Sequence, residues 1–395
     1  MAGALAAGIA LFVLAPGPLH NQPSETLAQP RGTVVGAEPM RDAPGGSRAW
    51  RIRYLSRSYT SSPTALTGLI FVPAGPPPAG GRHVVALTHG TAGVAPGCAV
   101  SLRSPKEQAA LLEGLGAFLR AGDVVVAPDY QGLGTPGPHP YLVGDAEASA
   151  TLDAVRAAHN FRAAHAGAAF AVWGHSQGGH AALFIGQEAA AYAPELHLVG
   201  VAAGAPASNL RAIFKLTRNT SAGRLLSAYV LATWSRVYHR TLRLRQVVTS
   251  AARPVVRRLA RTCIALDTST NIRTGALTSL LGMSYLRKAP WTTKPWKTFL
   301  HRNTPGNRFI PVPVLVTQGT ADELVRPGMT TALVHRLCKR TDIVYYRRLP
   351  GIDHVDGGNA AVPLVTRWIA DRFAGVHPPN TCGKAYTNVL QKLAG

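Results

Sequence analysis

Along most of the chain, short apolar runs alternate with longer stretches in which apolar residues recur every three or four positions. Residues 50–60 and 67–72 read as two strands, joined as a hairpin through 61–66. Residues 83–88 (HVVALT) and 123–127 (DVVVA) are continuous apolar runs, the pattern of strands covered on both faces. Further strands are expected at 170–173, 196–203, 313–317 and 343–348. Helical spacing marks 106–120, 144–164, 177–190, 326–340 and 359–373. Strands followed by helices predict a mostly parallel sheet with helices on both faces. In such sheets the reactive groups collect at the carboxyl ends of the strands. The stretches 89–91, 174–179, 320–323 and 351–358 all fall at such ends.

The 395 residues suit one core with a large insertion, or two domains. With 46% apolar and 15% charged residues, the chain has the composition of a folded protein rather than a disordered one. Residues 4–15 form an apolar run broken only by Gly8. It is too short to span a bilayer and fits a signal-peptide core, although no basic residues precede it. Residues 16–48 are rich in proline, glycine and small polar residues and read as a linker. Later in the chain no apolar run reaches 18 residues, so a membrane-spanning helix is not expected.

The net charge of +22 is concentrated. Between Arg211 and Arg302 there are 18 Lys/Arg against one acid, Asp267, so this segment carries 18 − 1 = +17. Its arginines are interleaved with apolar residues at helical spacing, and no nucleic-acid motif accompanies them, so nucleic acid is not the expected partner. A solvated helix face and an anionic lipid or envelope surface are the two remaining explanations. Trp291 and Trp296, beside Lys294 and Lys297, have the residue types of interfacial anchors and favour the second. The four cysteines form no CxxC pair, and HExxH is absent. Four well-separated cysteines fit two disulfides in an oxidising compartment, and sequence alone leaves three pairings open.

Residues 171–183 read AVWGHSQGGHAAL. The apolar run stops at Gly174, and Ser176 stands between glycines where a strand gives way to a helix. This is G-x-S-x-G in the setting the motif requires. The glycines are needed because a serine held in a sharp turn crowds the backbone around it. The plain alternative is a glycine-rich turn; the strand before and the helix after favour a nucleophile.

LTHGTAG at 87–93, APDYQGLGTPGPHPYLVG at 127–144, WGHSQGGHAAL at 173–183 and TQGTADELVRP at 317–327 follow one another in that order. In these motifs the chain resembles the α/β-hydrolases and, more narrowly, the secretory lipase family of fungal lipase A and actinobacterial secreted lipases. The resemblance implies an α/β-hydrolase: a mostly parallel central sheet flanked by helices, with a helical lid inserted between the sixth and seventh core strands. The expected divisions are a signal-like segment and linker at 1–48, core at 49–204, the basic lid at 205–310, core at 311–375 and a tail at 376–395.

In this fold the nucleophile is followed in the chain by an acid and then a histidine. Asp322, just past the strand PVLVTQG, is the expected acid, with Glu323 as a neighbour able to substitute. His354, in LPGIDHVDGG after a strand and before a helix, is the expected base; Asp353 and Asp356 beside it read as loop-capping groups. Two backbone N–H groups should form the oxyanion hole, one from Gln177 and one from Thr91, with Gly90 as the fallback. His89 reads as structural. Asp129 and Tyr130 either line the pocket or, more in keeping with a PDYxGxG turn, brace the oxyanion loop. The resemblance also implies the pairings Cys98–Cys263 and Cys338–Cys382.

The expected activity is secreted or envelope-associated hydrolysis of acylglycerols or other apolar esters through Ser176, Asp322 and His354, with no metal or organic cofactor. The partners expected are an ester or lipid substrate and an anionic lipid surface under the basic lid. Acyl transfer on the same three residues, and a non-catalytic envelope-binding protein on a hydrolase scaffold, are the alternatives.

Overall fold

Nine strands form one sheet in the computed structural model, which describes residues 29–264, 268–282, 284–340 and 343–382. The apolar run at 4–15, Asp267 and the tail beyond 382 lie outside the described residues. The strands are β1 (Val34–Met40), β2 (Arg48–Arg57), β3 (Pro63–Val72), β4 (Arg82–Thr88), β5 (Val124–Pro128), β6 (Ala166–His175), β7 (His197–Gly204), β8 (Val314–Gly319) and β9 (Val344–Leu349). Their order across the sheet is β1-β2-β3-β5-β4-β6-β7-β8-β9. The pairings from β1 to β5 through β3 are antiparallel, and every pairing from β5 through β4 to β9 is parallel. This is the mostly parallel sheet expected from the alternation of runs.

Helices α1 (Pro105–Leu111), α2 (Leu115–Arg120), α3 (Gly144–Asn160) and α4 (Gln177–Tyr192) belong to the first part of the core. Helices α5 (Leu210–Thr217), α6 (Ser221–Val237), α7 (Leu244–Val247), α8 (Ala252–Leu259), α9 (Thr268–Leu281) and α10 (Trp296–Arg302) make up the insertion. Helices α11 (Pro327–Cys338) and α12 (Gly357–Phe373) complete the core. Two apolar layers cover the sheet. One packs Leu152 and Val155 of α3, Leu183 and Ile185 of α4 and Leu333 of α11 against inward residues such as Val84, Val126 and Val172. The other packs Phe118 of α2 and Val365, Trp368 and Ile369 of α12 against Val85, Val125 and Trp173. Successive residues of β4, β5 and β6 thus enter opposite layers, which is why these strands read as unbroken apolar runs.

Three expectations need correction. The stretch 16–48 is not linker throughout: Val34–Met40 is the antiparallel edge strand, pairing Ala37 with Ile52 and Met40 with Ala49. Its side chains are mostly exposed, so it lacks the apolar signal of an inner strand. The hairpin turn is shorter than expected, since Thr64, Ala65 and Leu66 already pair with Ser56, Leu55 and Tyr54. The single helix expected at 106–120 is broken before α2, where Gly114 adopts φ +93° and a side chain would press on Phe118. With β1 added, the insertion lies between the seventh and eighth strands of the chain.

Candidate active site

The chain leaves β6 at His175 and enters α4 at Gln177, so Ser176 must turn it sharply. Ser176 has φ +58° and ψ −114°, a conformation costing a non-glycine residue about 1–3 kcal/mol. Packing around it holds that geometry. The Ser176 N–H donates to the Gly204 carbonyl, and its own carbonyl accepts from the N–H groups of His180 and Ala207. A Cβ on Gly174 would strike the Thr88 hydroxyl, and one on Gly178 would strike the Thr88 carbonyl. The glycines of the motif are therefore close-approach positions, Gly174 of β6 against β4 and α4, and Gly178 of α4 against β4.

The Ser176 Oγ lies 2.9 Å from His354 Nε2, and His354 Nδ1 lies 2.7 Å from Asp322 Oδ2. An ionised carboxylate only accepts, so Nδ1 carries a proton and Nε2 is left to accept from the serine hydroxyl. His354 comes from the loop between β9 and α12, and Asp322 from the loop after β8. Asp322 is buried at 2% exposure. Its Oδ1 accepts from the N–H groups of Leu324 and Val325, and its Oδ2 also accepts from Gln318 Nε2 at 3.1 Å. Burial pushes this carboxyl up, but the hydrogen bond and charge of His354, with the Val325 N–H and Gln318 amide, outweigh it. The carboxyl is held below its ordinary value. Glu323, the alternative acid, is exposed and does not face the histidine.

The loop 89–91 leaves β4 alongside the elbow, since Thr88 is in register with Gly174. Neither the Thr91 nor the Gln177 N–H has an acceptor among the described residues. A Cβ on Gly90 would make only ordinary contact with the His175 carbonyl, 3.7 Å away. His89 Nδ1 contacts the Gly90 carbonyl at 2.6 Å, and the Tyr130 hydroxyl donates to the His89 carbonyl at 3.4 Å. Asp129 accepts from Thr67 Oγ1 and the Ser101 N–H. Asp129 and Tyr130 therefore brace the turn rather than line a pocket. The Thr91 hydroxyl lies 2.8 Å from the Tyr141 hydroxyl.

Ser176 and Gln177 line a nearly filled cavity of about 30 Å³, against a usual 300–1,000 Å³ for ligand pockets. Leu210, Ile213 and Phe214 of α5 and Leu226 and Val230 of α6 close it. These belong to an apolar cluster that also contains Tyr141, Leu142 and Val325 of the core loops and Met329 of α11. The insertion thus seats directly on the serine.

Sequence reasoning missed a buried polar group beneath the elbow. Glu147 of α3, with no exposure, accepts from the Leu142 N–H, from Gln177 Nε2 at 2.8 Å and from His180 Nδ1 at 2.7 Å. His180 Nε2 faces the Asn303 carbonyl at 2.9 Å, and the Asn303 amide oxygen accepts from the Gly144 N–H. The only signal was a second histidine four residues after Ser176, on the inner face of α4. Gln318, which orients Asp322 and is itself held by Thr330 Oγ1 at 2.5 Å, was also missed. Trp296 is not an interfacial anchor: it is fully buried, and its indole N–H donates to Gln246. A large ring on a short helix finds more apolar surface inside the insertion than at its edge. Both implied disulfides are present, Cys98–Cys263 and Cys338–Cys382.

Comparison with known proteins agrees with this architecture. The Candida antarctica lipase A structure superposes with a TM-score of 0.76 at 17% identity, over 92% of this chain and 86% of that one. The rice cell wall degrading esterase LipA from Xanthomonas oryzae gives 0.69 at 20% identity, over 88% and 98%. At such identities the likeness is one of fold. Among curated proteins, a probable inactive lipase of Mycobacterium tuberculosis is 27% identical over 274 residues, 66% of this chain and 57% of the relative. Lipase A of Arthroderma benhamiae is 24% identical over 277 residues, 67% and 56%. The chain thus spans little more than half the length of these relatives. The family model described as "Secretory lipase" matches residues 108–381, which takes in the elbow, the whole insertion and the loops of Asp322 and His354. A match over that much of the chain, on this fold, means that the protein belongs to the secretory lipase family.

Proposed function

We propose that the protein is an extracellular serine carboxylic ester hydrolase acting on acylglycerols or similar apolar esters. The observation that carries this is the hydrogen-bonded line from Ser176 through His354 to Asp322 at an apolar cavity. Ser176 Oγ attacks the ester carbonyl carbon while its proton passes to His354 Nε2. Asp322 fixes the imidazole tautomer and stabilises the imidazolium. The N–H groups of Thr91 and Gln177, free of internal acceptors, hold the oxyanion; one such donor contributes about 3 kcal/mol of barrier lowering. Collapse expels the alcohol, which takes the proton back from His354. A water that gives its proton to His354 then attacks the acyl-enzyme and releases the acid, restoring Ser176.

Helices α5 and α6 act as the lid, since a 30 Å³ cavity admits no acyl chain until they move. The basic outer side of the insertion then faces an anionic lipid or envelope surface. Two disulfides support an oxidising location. One relative is named an inactive lipase; the unbroken Ser176–His354–Asp322 line favours activity in this chain.

The test is hydrolysis of nitrophenyl esters from acetyl to palmitoyl by wild type and Ser176→Ala. The wild type should hydrolyse them, and the variant should fall by on the order of a millionfold in kcat while keeping its Tm. Activity that survives in the variant would mean a different nucleophile. A folded wild type inert on every ester would leave the envelope-binding alternative.

A further inference from the structure

Two recesses in the insertion are far larger than the cavity at Ser176. One cavity of about 670 Å³ is lined by six arginines: Arg236 of α6, Arg243 and Arg245 at α7, Arg253 and Arg257 of α8, and Arg261 in the turn just past its end. Arg253 and Arg257 are four residues apart and share one face of α8, and Arg261 follows beyond the helix end. No described carboxylate makes an ion pair with any of the six. The Arg253 Nε is buried with no hydrogen-bond acceptor among the described residues. A solvated basic helix would turn its arginines apart into water. Here three elements aim them into one recess, where mutual repulsion and an unmade hydrogen bond both cost free energy. An anion in the recess would relieve both.

A second recess of about 780 Å³ shares Arg257 and Arg261 with the first. Its other walls include Pro254, Ala276, Leu277 and Leu280, and Leu280 is 72% exposed. A cationic cup joined to an apolar groove across two shared arginines matches an amphiphile with an anionic head. α6 connects this site to the serine. Its residues Gly223, Leu226, Ser227 and Val230 line the Ser176 cavity, and Ala232, Ser235 and Arg236 line the arginine cup.

We propose that the cup and groove form a binding site for an anionic phospholipid of the surface on which the protein works. The phosphate sits among Arg243, Arg253, Arg257 and Arg261, and one acyl chain lies over Leu277 and Leu280. The site is distinct from the catalytic cavity. It rests on the reading of the insertion as the lipid-facing part of the enzyme, and it turns a diffuse basic face into a defined headgroup site on the helix that roofs the serine. Guanidinium groups suit this task because their planar donors pair with two phosphate oxygens at once.

The test uses the full chain carrying Ser176→Ala, so that vesicles are not consumed, and flotation on phosphatidylcholine vesicles with and without phosphatidylglycerol. One further variant removes three exposed cup arginines (Arg243→Gln, Arg257→Gln, Arg261→Gln). A control removes equal charge elsewhere on the insertion (Arg240→Gln, Lys294→Gln, Lys297→Gln). At about fivefold per arginine, the cup variant should lose on the order of a hundredfold in partitioning onto the anionic vesicles. The control should lose much less; equal losses, or no loss in the cup variant, would overturn the site. A soluble short-chain phosphatidylglycerol should bind more tightly than glycerol phosphate, and Leu280→Asp should weaken only the former. Equal binding of the two would mean a phosphate site without a lipid groove and would overturn the assignment. Nitrophenyl acetate hydrolysis by the cup variant with Ser176 intact should match wild type, which shows that the variant folds. Vesicle binding as expected in a wild type that hydrolyses no ester would sink the hydrolase reading and leave the lipid site standing.

Discussion

At Ser176 the chain accepts an unfavourable backbone conformation because each neighbour is already committed to another contact. Gly178 shows how narrow the tolerance is. Its Cα lies so near the Thr88 carbonyl that alanine must push α4 away from β4. Gly178→Ala is expected to lower stability by about 1–3 kcal/mol or more and to cut esterase activity further than the stability loss explains. Paired Tm and kcat measurements check this; an active variant of wild-type Tm would mean that the close approach is not needed. Asp322 gives a pH signature. Its carboxyl is held below the ordinary value in the folded protein, so its stabilising contribution is full above about pH 4 and is lost as pH falls through the lower folded value. Thermal unfolding of Asp322→Asn should show a deficit against wild type at neutral pH that shrinks below about pH 4. A deficit unchanged at acid pH would mean that the histidine contact does not stabilise the charge.

Among the elements, the joint between insertion and core matters most. Cys263 is tied to Cys98, Gly93 forms a β-bridge with Cys263, and the Ile264 N–H donates to the Ala92 carbonyl. The end of α8 is thereby stitched to the loop that follows Thr91. Closing a loop of 165 residues is worth about 5 kcal/mol in the chain-entropy model, and less where the unfolded chain is already compact. Replacing both cysteines by serine should lower Tm and weaken hydrolysis of long-chain esters more than of nitrophenyl acetate, because the long chain depends on the placement of α5 and α6. An equal loss for both substrates would assign the bond to global stability alone. At the other end of the insertion, His180 and Gly144 hold Asn303, so α10 is anchored to the same buried carboxylate that holds the Gln177 side chain.

For the molecule as a whole, charge and apolar burial are segregated. The core is close to neutral and buries its apolar residues in two layers on the sheet, while the insertion carries most of the positive charge and shares its apolar cluster with the core loops. Insertion and core should therefore unfold in one transition. Global stability also carries a penalty at Asp123, just before β5. Burial lifts its carboxyl to about 7, and His83, 3.9 Å away, does not compensate because burial lowers its own proton affinity. A carboxyl raised in the folded state favours folding less as pH rises, so the penalty grows between about pH 4 and 7 and is complete above. Asp123→Asn should be more stable than wild type above pH 7, by on the order of a few kcal/mol, with the advantage fading toward pH 4. Chemical denaturation across that range checks it; a constant difference would refute the assignment.

The inner strands, the core helices other than the broken one at 106–120, and the chain order of serine, acid and histidine were legible in the residues alone. Those features are local: a buried parallel strand is a continuous apolar run, and a strained elbow needs its glycines next to the serine. The edge strand β1 escaped because its exposed side chains carry no apolar period, and its existence depends on β2 being there to pair with. Glu147, His180 and Asn303 escaped for a related reason: they are far apart in the chain, and a buried carboxylate looks like any other until its three donors converge. Trp296 went to the interior because tertiary packing offered its ring more apolar surface than the edge did. The arginines of the insertion were countable in the sequence, but only the packing of α6 on α8 and α9 decided which of them face one cavity. Charge is a property of residues, whereas a binding site is a property of the directions in which the fold points them.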